Sequence, residues 1–193
     1  MGRIMSLINT TPDGFVDAQY TIADSEFYEF TLGLFSYSRA IAFGRNRFEL
    51  FQNRWPLILE KEGVPESQAK MAKTMNDIHK VVFSSTLKST AWNNSTIVRE
   101  IDLKDINSYK QEGSGGLLTV GSPGLVAALA GMNLIDDYYF FIHPFIAGAG
   151  KDGMRLFGNL NLPEKRLLSY VNSNHLKSGV HIIHYRSDTP AQV

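Results

Sequence analysis

The sequence predicts an α/β fold of three layers: a mixed, mostly parallel sheet with helices on both faces and an antiparallel hairpin at its C-terminal end. Three observations carry this. Short apolar runs alternate with segments of helical spacing through the first two thirds of the chain. Glycine- or serine-bearing turns follow those runs. The last third changes to longer aromatic runs separated by polar turn residues.

Residues 4–8 form an apolar strand ended by Asn9-Thr10-Thr11-Pro12-Asp13-Gly14, where proline and Asp-Gly enforce a turn. Phe27, Phe30, Thr31, Leu34 and Phe35 then recur at helical spacing, with Asp24 or Ser25 as N-cap. Residues 40–43 are a second strand, and Gly44-Arg45-Asn46-Arg47-Phe48 opens a helix directly after it. Pro56, Gly63 and Pro65 mark a loop before a short helix over 66–75. Residues 80–83 and 96–98 are strands, the former stopped by Ser84-Ser85-Thr86, and 103–111 is a helix preceded by Asp102. Residues 117–120 are the fifth strand, followed by Gly121-Ser122-Pro123-Gly124 and a helix containing 125–130. Segments 136–145, 167–171 and 180–185 read as strands. Asn172-Ser173-Asn174 and Lys177-Ser178-Gly179 mark the turn between the last two, and Gly148-Ala149-Gly150 reads as a bend. Residues 1–187 make one domain and 188–193 a loose tail.

Bulk properties narrow the function. Nineteen basic residues balance nineteen acidic ones, so no net field draws the chain to nucleic acid or an acidic membrane. No apolar run approaches the roughly 20 residues of a membrane span, and no charged leader precedes an apolar stretch; the expectation is a cytoplasmic protein. Cysteine is absent, so redox chemistry needs a borrowed cofactor. The histidines at 79, 143, 175, 181 and 184 include no short-spaced pair on a helix, so no metal site is expected.

A helix that starts directly after a parallel strand aims unpaired N–H groups at the carboxyl edge of the sheet, where phosphates bind. Three such starts are expected: Gly44-Arg45, Ser84-Ser85-Thr86 and Gly121-Ser122-Pro123-Gly124. Gly121 admits close backbone approach, Ser122 offers a hydroxyl, and Pro123 suits a first helical turn. Arg45 and Arg47, with the hydroxyls of residues 84–86, suit an additional phosphate. Taken singly, each site is explained as well by a tight turn or a solvated arginine; together they can hold one dinucleotide.

The segments Phe43-Gly44-Arg45-Asn46-Arg47-Phe48, Val81-Val82-Phe83-Ser84-Ser85-Thr86-Leu87 and Leu118-Thr119-Val120-Gly121-Ser122-Pro123-Gly124-Leu125 resemble dihydrofolate reductases in order and placement. Asn133-Leu134-Ile135-Asp136-Asp137-Tyr138, with His143-Pro144-Phe145-Ile146, is more similar to the reductase domain of riboflavin-biosynthesis deaminase-reductases and its stand-alone bacterial relatives. The resemblance spans residues 4–185. It implies a dihydrofolate-reductase-like α/β/α sandwich, NADPH across the carboxyl edge, a small-molecule substrate and a homodimer. Two departures stand out. Thr11-Pro12-Asp13-Gly14-Phe15 replaces the folate-closing loop of dihydrofolate reductases, and Val120 occupies a place usually acidic in the riboflavin-pathway enzymes.

The expected cofactor-binding residues are therefore Gly44, Arg45, Asn46, Arg47, Ser84, Ser85, Thr86, Gly121, Ser122, Pro123 and Gly124. Hydride transfer leaves a charge to be protonated, and the resemblance implies Asp24 as the acid, although an aspartate there serves equally as a helix cap. Asp13, Phe15 and Asp17 are the expected substrate contacts, Phe15 by stacking; Phe51, Trp55 and Trp92 are further aromatics able to stack. The expected function is NADPH-dependent reduction of a pterin- or pyrimidine-like heterocycle. The alternatives are 5-amino-6-(5-phosphoribosylamino)uracil reduction and a non-catalytic NADPH-binding sensor or structural dimer.

Overall fold

The computed structural model describes residues 1–111, 113, 115–148 and 153–188. The strands are β1 (Ile4–Thr10), β2 (Ser38–Gly44), β3 (His79–Phe83), β4 (Ser95–Val98), β5 (Gly116–Val120), β6 (Asp137–Ile142), β7 (Leu168–His175) and β8 (His181–Ser187). The helices are α1 (Ser25–Ser36), α2 (Arg45–Gln52), α3 (Trp55–Ile58), α4 (Glu66–Asp77), α5 (Leu103–Ser108) and α6 (Pro123–Gly131). All eight strands join one sheet in the order β4-β3-β2-β5-β1-β6-β8-β7. The first six in that row run parallel; β8 lies antiparallel to both β6 and β7. This is the mixed three-layer architecture expected.

The central strands are buried on both faces, as parallel strands between helical layers must be. On one face Met5, Leu7, Phe43, Leu118 and Phe141 pack against Phe27 and Phe35 of α1 and Met71 and Met75 of α4. On the other, Ile4, Ile8, Ala42 and Leu117 pack against Val126 and Leu129 of α6 and Ile106 of α5. Trp55 and Trp92 belong to the first of these cores, 4% and 6% exposed, with Phe51 packed against them. They fill the interior and are not free to stack on a ligand.

Lys80 is fully buried, and its Nζ donates to the carbonyls of Met75, Asn76 and Ile78 at 3.0, 2.9 and 2.7 Å while lying 4.7 Å from the Trp92 ring centroid. It satisfies the last carbonyls of α4, which would otherwise be orphaned in the interior. Burial holds its amine down to about 8.

The amino edge of the sheet is closed by a second ionic group. Asp137, 2% exposed, accepts from Arg3 Nε, from His184 Nε2 at 2.7 Å and from Arg186 Nε at 3.2 Å. Burial alone would raise this carboxyl, but the bonds from Arg3 and His184 outweigh it and hold it below the ordinary carboxylate range.

Some expectations need correction. A single helical turn, α3, stands where a loop was expected, with Pro56 in its first turn, where a missing N–H costs nothing. Asn172-Ser173-Asn174 lie inside β7, not in a turn; the reversal is confined to residues 176–179, closed by Gly179 N–H to Leu176 O at 2.9 Å. An exposed edge strand tolerates asparagine and serine because neither face must be apolar. Asp188 accepts from Ser169 Oγ at 2.5 Å, so the chain is still tied there. The rest of the expected tail, and Ala149 and Gly150 of the expected bend, lie outside the described residues.

Candidate functional site

Because β5 enters between β1 and β2, the turn after β5 meets the start of α2 at the carboxyl edge. Such a reversal of strand order opens a crevice for ligands in α/β sheets. Gly44 pairs with Phe83, so residue 84 lies beside it, and Ser122 Oγ accepts from Gly44 N–H at 3.0 Å. Residues 44, 84 and 121–122 thus share one edge of three neighbouring parallel strands. Between the residue 16–18 loop, the start of α2 and the 122–125 turn lies a cleft of about 480 Å³, with Leu50 and Met154 on its rim. A narrow slot of about 10 Å³, room for a single water or oxygen atom, continues inward past Asn9, Thr21 and Gly121 to Val126.

Two helices begin in this cleft, and neither has a side chain capping its first turn. The N-cap of α2 is Gly44, which has no side chain; that of α6 is Ser122, whose hydroxyl is spent on Gly44. Away from the cleft, α1 and α5 are capped by Asp24 and Asp102, while α3 and α4 likewise start without a side-chain cap. The first amides of α2 and α6 are therefore open to an anion. Gly121 and Ser122 both adopt left-handed backbone, φ 64° and 57°, which turns the chain sharply enough to present them. A Cβ on Gly121 would stand 2.9 Å from Arg47 Nε, so a side chain there would push the guanidinium from its present place.

Arg47 is the cation of the site. It is half-buried, and no carboxylate among the described residues comes within salt-bridge distance. Burial lowers its pKa from the usual value, opposed by the charge of Asp17 across the cleft. A half-buried positive group with no carboxylate at bonding distance and only Asp17 across the cleft has room for an anionic ligand beside it.

Of the expected cofactor residues, Gly44, Arg45, Asn46, Arg47, Ser122, Pro123 and Gly124 line the cleft and Gly121 its inner slot. Ser84, Ser85 and Thr86 do not line it, and no helix starts after β3. Ser84 Oγ accepts from Leu87 N at 2.9 Å and Thr86 N at 3.3 Å, forming a hydroxyl-closed turn that occupies the amides expected to be free. Residues 85 and 86 are exposed at the same edge, beyond the cleft wall.

The expected catalytic and substrate residues divide differently. Asp24 caps α1, accepting from Phe27 N at 2.8 Å, and lines neither the cleft nor its slot. Asp13 is a latch: it accepts from Thr11 Oγ1 at 2.6 Å and from the amides of Ala147 and Gly148 at 3.2 and 3.0 Å. The Thr11 and Gly148 bonds hold its carboxyl down to about 2, so it stays an acceptor for the loop. Phe15 is 2% exposed, with the Arg155 guanidinium 4.4 Å from its ring centroid, and offers no free face for stacking. Asp17 does line the cleft, facing Arg47, while its Oδ1 accepts from Gln19 N at 3.0 Å.

Sequence reasoning missed Asn9 and His143. His143 is 1% exposed; its Nδ1 lies 3.2 Å from Ile22 N and its Nε2 3.1 Å from Asn9 Oδ1. Burial pushes it down to about 4, against the raising effect of Asp24. The two residues are 134 positions apart and meet only because β6 pairs with β1.

Residues 4–182 match the RibD C-terminal domain family. The chain belongs to that family. It is 25% identical over 181 residues to the uncharacterized protein YyaP of Bacillus subtilis, covering 92% of this chain and 91% of that one. Among solved structures it is similar to a riboflavin biosynthesis candidate from Shewanella sp. PV-4, with TM-score 0.68, 15% identity and 97% and 99% of the two chains covered. It is also similar to Enterococcus faecalis dihydrofolate reductase complexed with NADP(H), with TM-score 0.60, 12% identity and 97% and 98% covered. The fold is thus dihydrofolate-reductase-like. No helix among the described residues is long and apolar enough to cross a membrane.

Proposed function

We propose that the protein is an NADPH-dependent reductase that transfers a hydride to a small planar heterocycle of pterin or pyrimidine type. The observation that carries this reading is Arg47, half-buried without a carboxylate partner between two helix starts whose first turns are uncapped. The site fits a diphosphate. The amides opening α2 and α6 and the Arg47 guanidinium hold it, and Gly121 leaves the room a side chain would fill. Arg45, which lines the cleft, would meet an additional phosphate and favour NADPH over NADH, with Ser85 and Thr86 exposed at the neighbouring strand end beyond the cleft wall.

When bound, the coenzyme supplies the hydride. The chain supplies position and exclusion: Val16 and Asp17 wall the cleft, and Ile8 and Asn9 floor its slot. Asp13 is bonded to the loop and Asp24 lines neither the cleft nor its slot, so the proton reaching the reduced ring comes from Asp17, which lines the cleft, or from water entering it. The homodimer expected from the resemblance belongs to the same proposal and is checked by sedimentation.

Titration with NADPH and NADH, followed by turnover against a panel of pterins and pyrimidines, tests the reading. Tighter NADPH binding with accelerated oxidation by a panel member is expected; absence of coenzyme binding overturns it. Family membership favours one second reading, 5-amino-6-(5-phosphoribosylamino)uracil reduction, and rapid turnover of that pyrimidine would establish it. Tight NADPH binding with no acceptor in the panel would instead favour a sensor.

A further inference from the structure

His143 and Asn9 form a pair whose hydrogen-bonding direction the backbone fixes. Ile22 N–H points at His143 Nδ1 over 3.2 Å, and a ring nitrogen can accept that bond only when it carries no proton. A neutral imidazole has one N–H, so it must be on Nε2, which donates to Asn9 Oδ1 at 3.1 Å. Burial, by favouring the uncharged ring, keeps it in this single tautomer near neutral pH. Asn9 therefore turns its oxygen inward and its Nδ2 away. That nitrogen has no hydrogen-bond partner among the described residues and is not sealed from solvent, while Asn9 itself lines the slot beside Gly121 and Arg47.

We propose that Asn9, held by His143, presents its amide N–H group to a carbonyl oxygen that enters the slot from a planar ring bound in the adjoining cleft, so that His143 is a positioning residue and Asn9 a selector of carbonyl-bearing rings. This rests on the reductase reading, which puts a ring at the carboxyl end of β1. The oxygen belongs to one of two sources of the same chemistry: the carboxamide of the coenzyme's nicotinamide or a ring carbonyl of the heterocycle being reduced. An asparagine that merely satisfied His143 would leave binding indifferent to the polarity of its outer atom.

Asn9→Asp tests this, because the carboxylate still accepts from His143 but replaces the outward donor with an acceptor. Wild type and variant are titrated with NADPH and with adenosine 2′,5′-bisphosphate, which lacks the nicotinamide ring. At least a tenfold loss for NADPH with unchanged bisphosphate binding assigns the contact to the coenzyme. Unchanged NADPH affinity with a similar rise in KM for the panel substrate, kcat being less affected, assigns it to the heterocycle. Unchanged behaviour in both arms overturns the proposal. Imidazole ¹⁵N shifts give a readout independent of activity: a protonated Nε2 and bare Nδ1 are expected, and the opposite tautomer overturns the proposal because it would turn the Asn9 oxygen toward the slot. If the wild type binds neither probe, the reductase reading fails first and this assignment falls with it.

Discussion

The two ends of the sheet treat buried charge in opposite ways. At the amino edge Asp137 is enclosed by Arg3, His184 and Arg186, so each charge has its answer within the chain. At the carboxyl edge Arg47 is withdrawn from water with no carboxylate at bonding distance among the described residues and only Asp17 across the cleft. The first arrangement is complete and serves the fold; the second leaves a charge without a bonded partner, which on the proposed reductase reading the anionic coenzyme would supply. Desolvation costs both sites stability, but only the amino edge recovers that cost without a ligand.

The strongest test of the contrast is Asp137→Ala. It should lower stability by about 3 kcal/mol in denaturant unfolding, at the low end for a broken buried pair because both arginines are half-exposed and can rehydrate. Coenzyme affinity should be unaffected. A comparable effect comes from pH. His143 has its folded pKa depressed to about 4 from 6.5, so the unfolded chain binds the extra proton. Stability is therefore fully present above pH 6.5 and declines as pH falls toward 4, by on the order of 3 kcal/mol, a slope that His143→Gln should remove.

Arg47→Met separates the edges from the other side. NADPH affinity should fall tenfold to a hundredfold, roughly 1.4–2.7 kcal/mol, while Tm holds or rises because an uncompensated charge has gone. Loss of Tm without loss of binding would reverse the comparison. The smallest change is Ser122→Ala, which deletes the bond to Gly44 N–H and should cost about 1 kcal/mol, with a modest loss of NADPH affinity as the two helix starts loosen.

Much of this was legible in the sequence because it is local. Residues 40–48 and 117–125 each carry a whole strand, turn and helix start, so Gly44, Arg47 and the 121–124 turn could be placed from hydrophobic spacing and glycine alone. The misreadings have equally definite causes. An acid that caps a helix and an acid that protonates a substrate look alike in sequence, and Asp24 does cap α1, which leaves its catalytic role to experiment. Ser84 looked like a helix start because serine serves both N-caps and self-closing turns, and its hydroxyl took the turn. Phe15 follows a proline turn, which suggests exposure, but its bridge to Arg155 folds it under the loop. Asn9 and His143 were invisible because their meeting depends on the pairing of β1 with β6.

Lys80 has a practical consequence. Its amine, lowered to about 8, would be among the more nucleophilic lysines of the chain were it accessible, yet it is sealed beneath Trp92 with all three of its N–H bonds committed. An acylating reagent can reach it only when α4 parts from β3. Acylation at this one position, followed by mass spectrometry over time, would therefore clock the opening of the molecule while surface lysines such as Lys70 and Lys73 react at once.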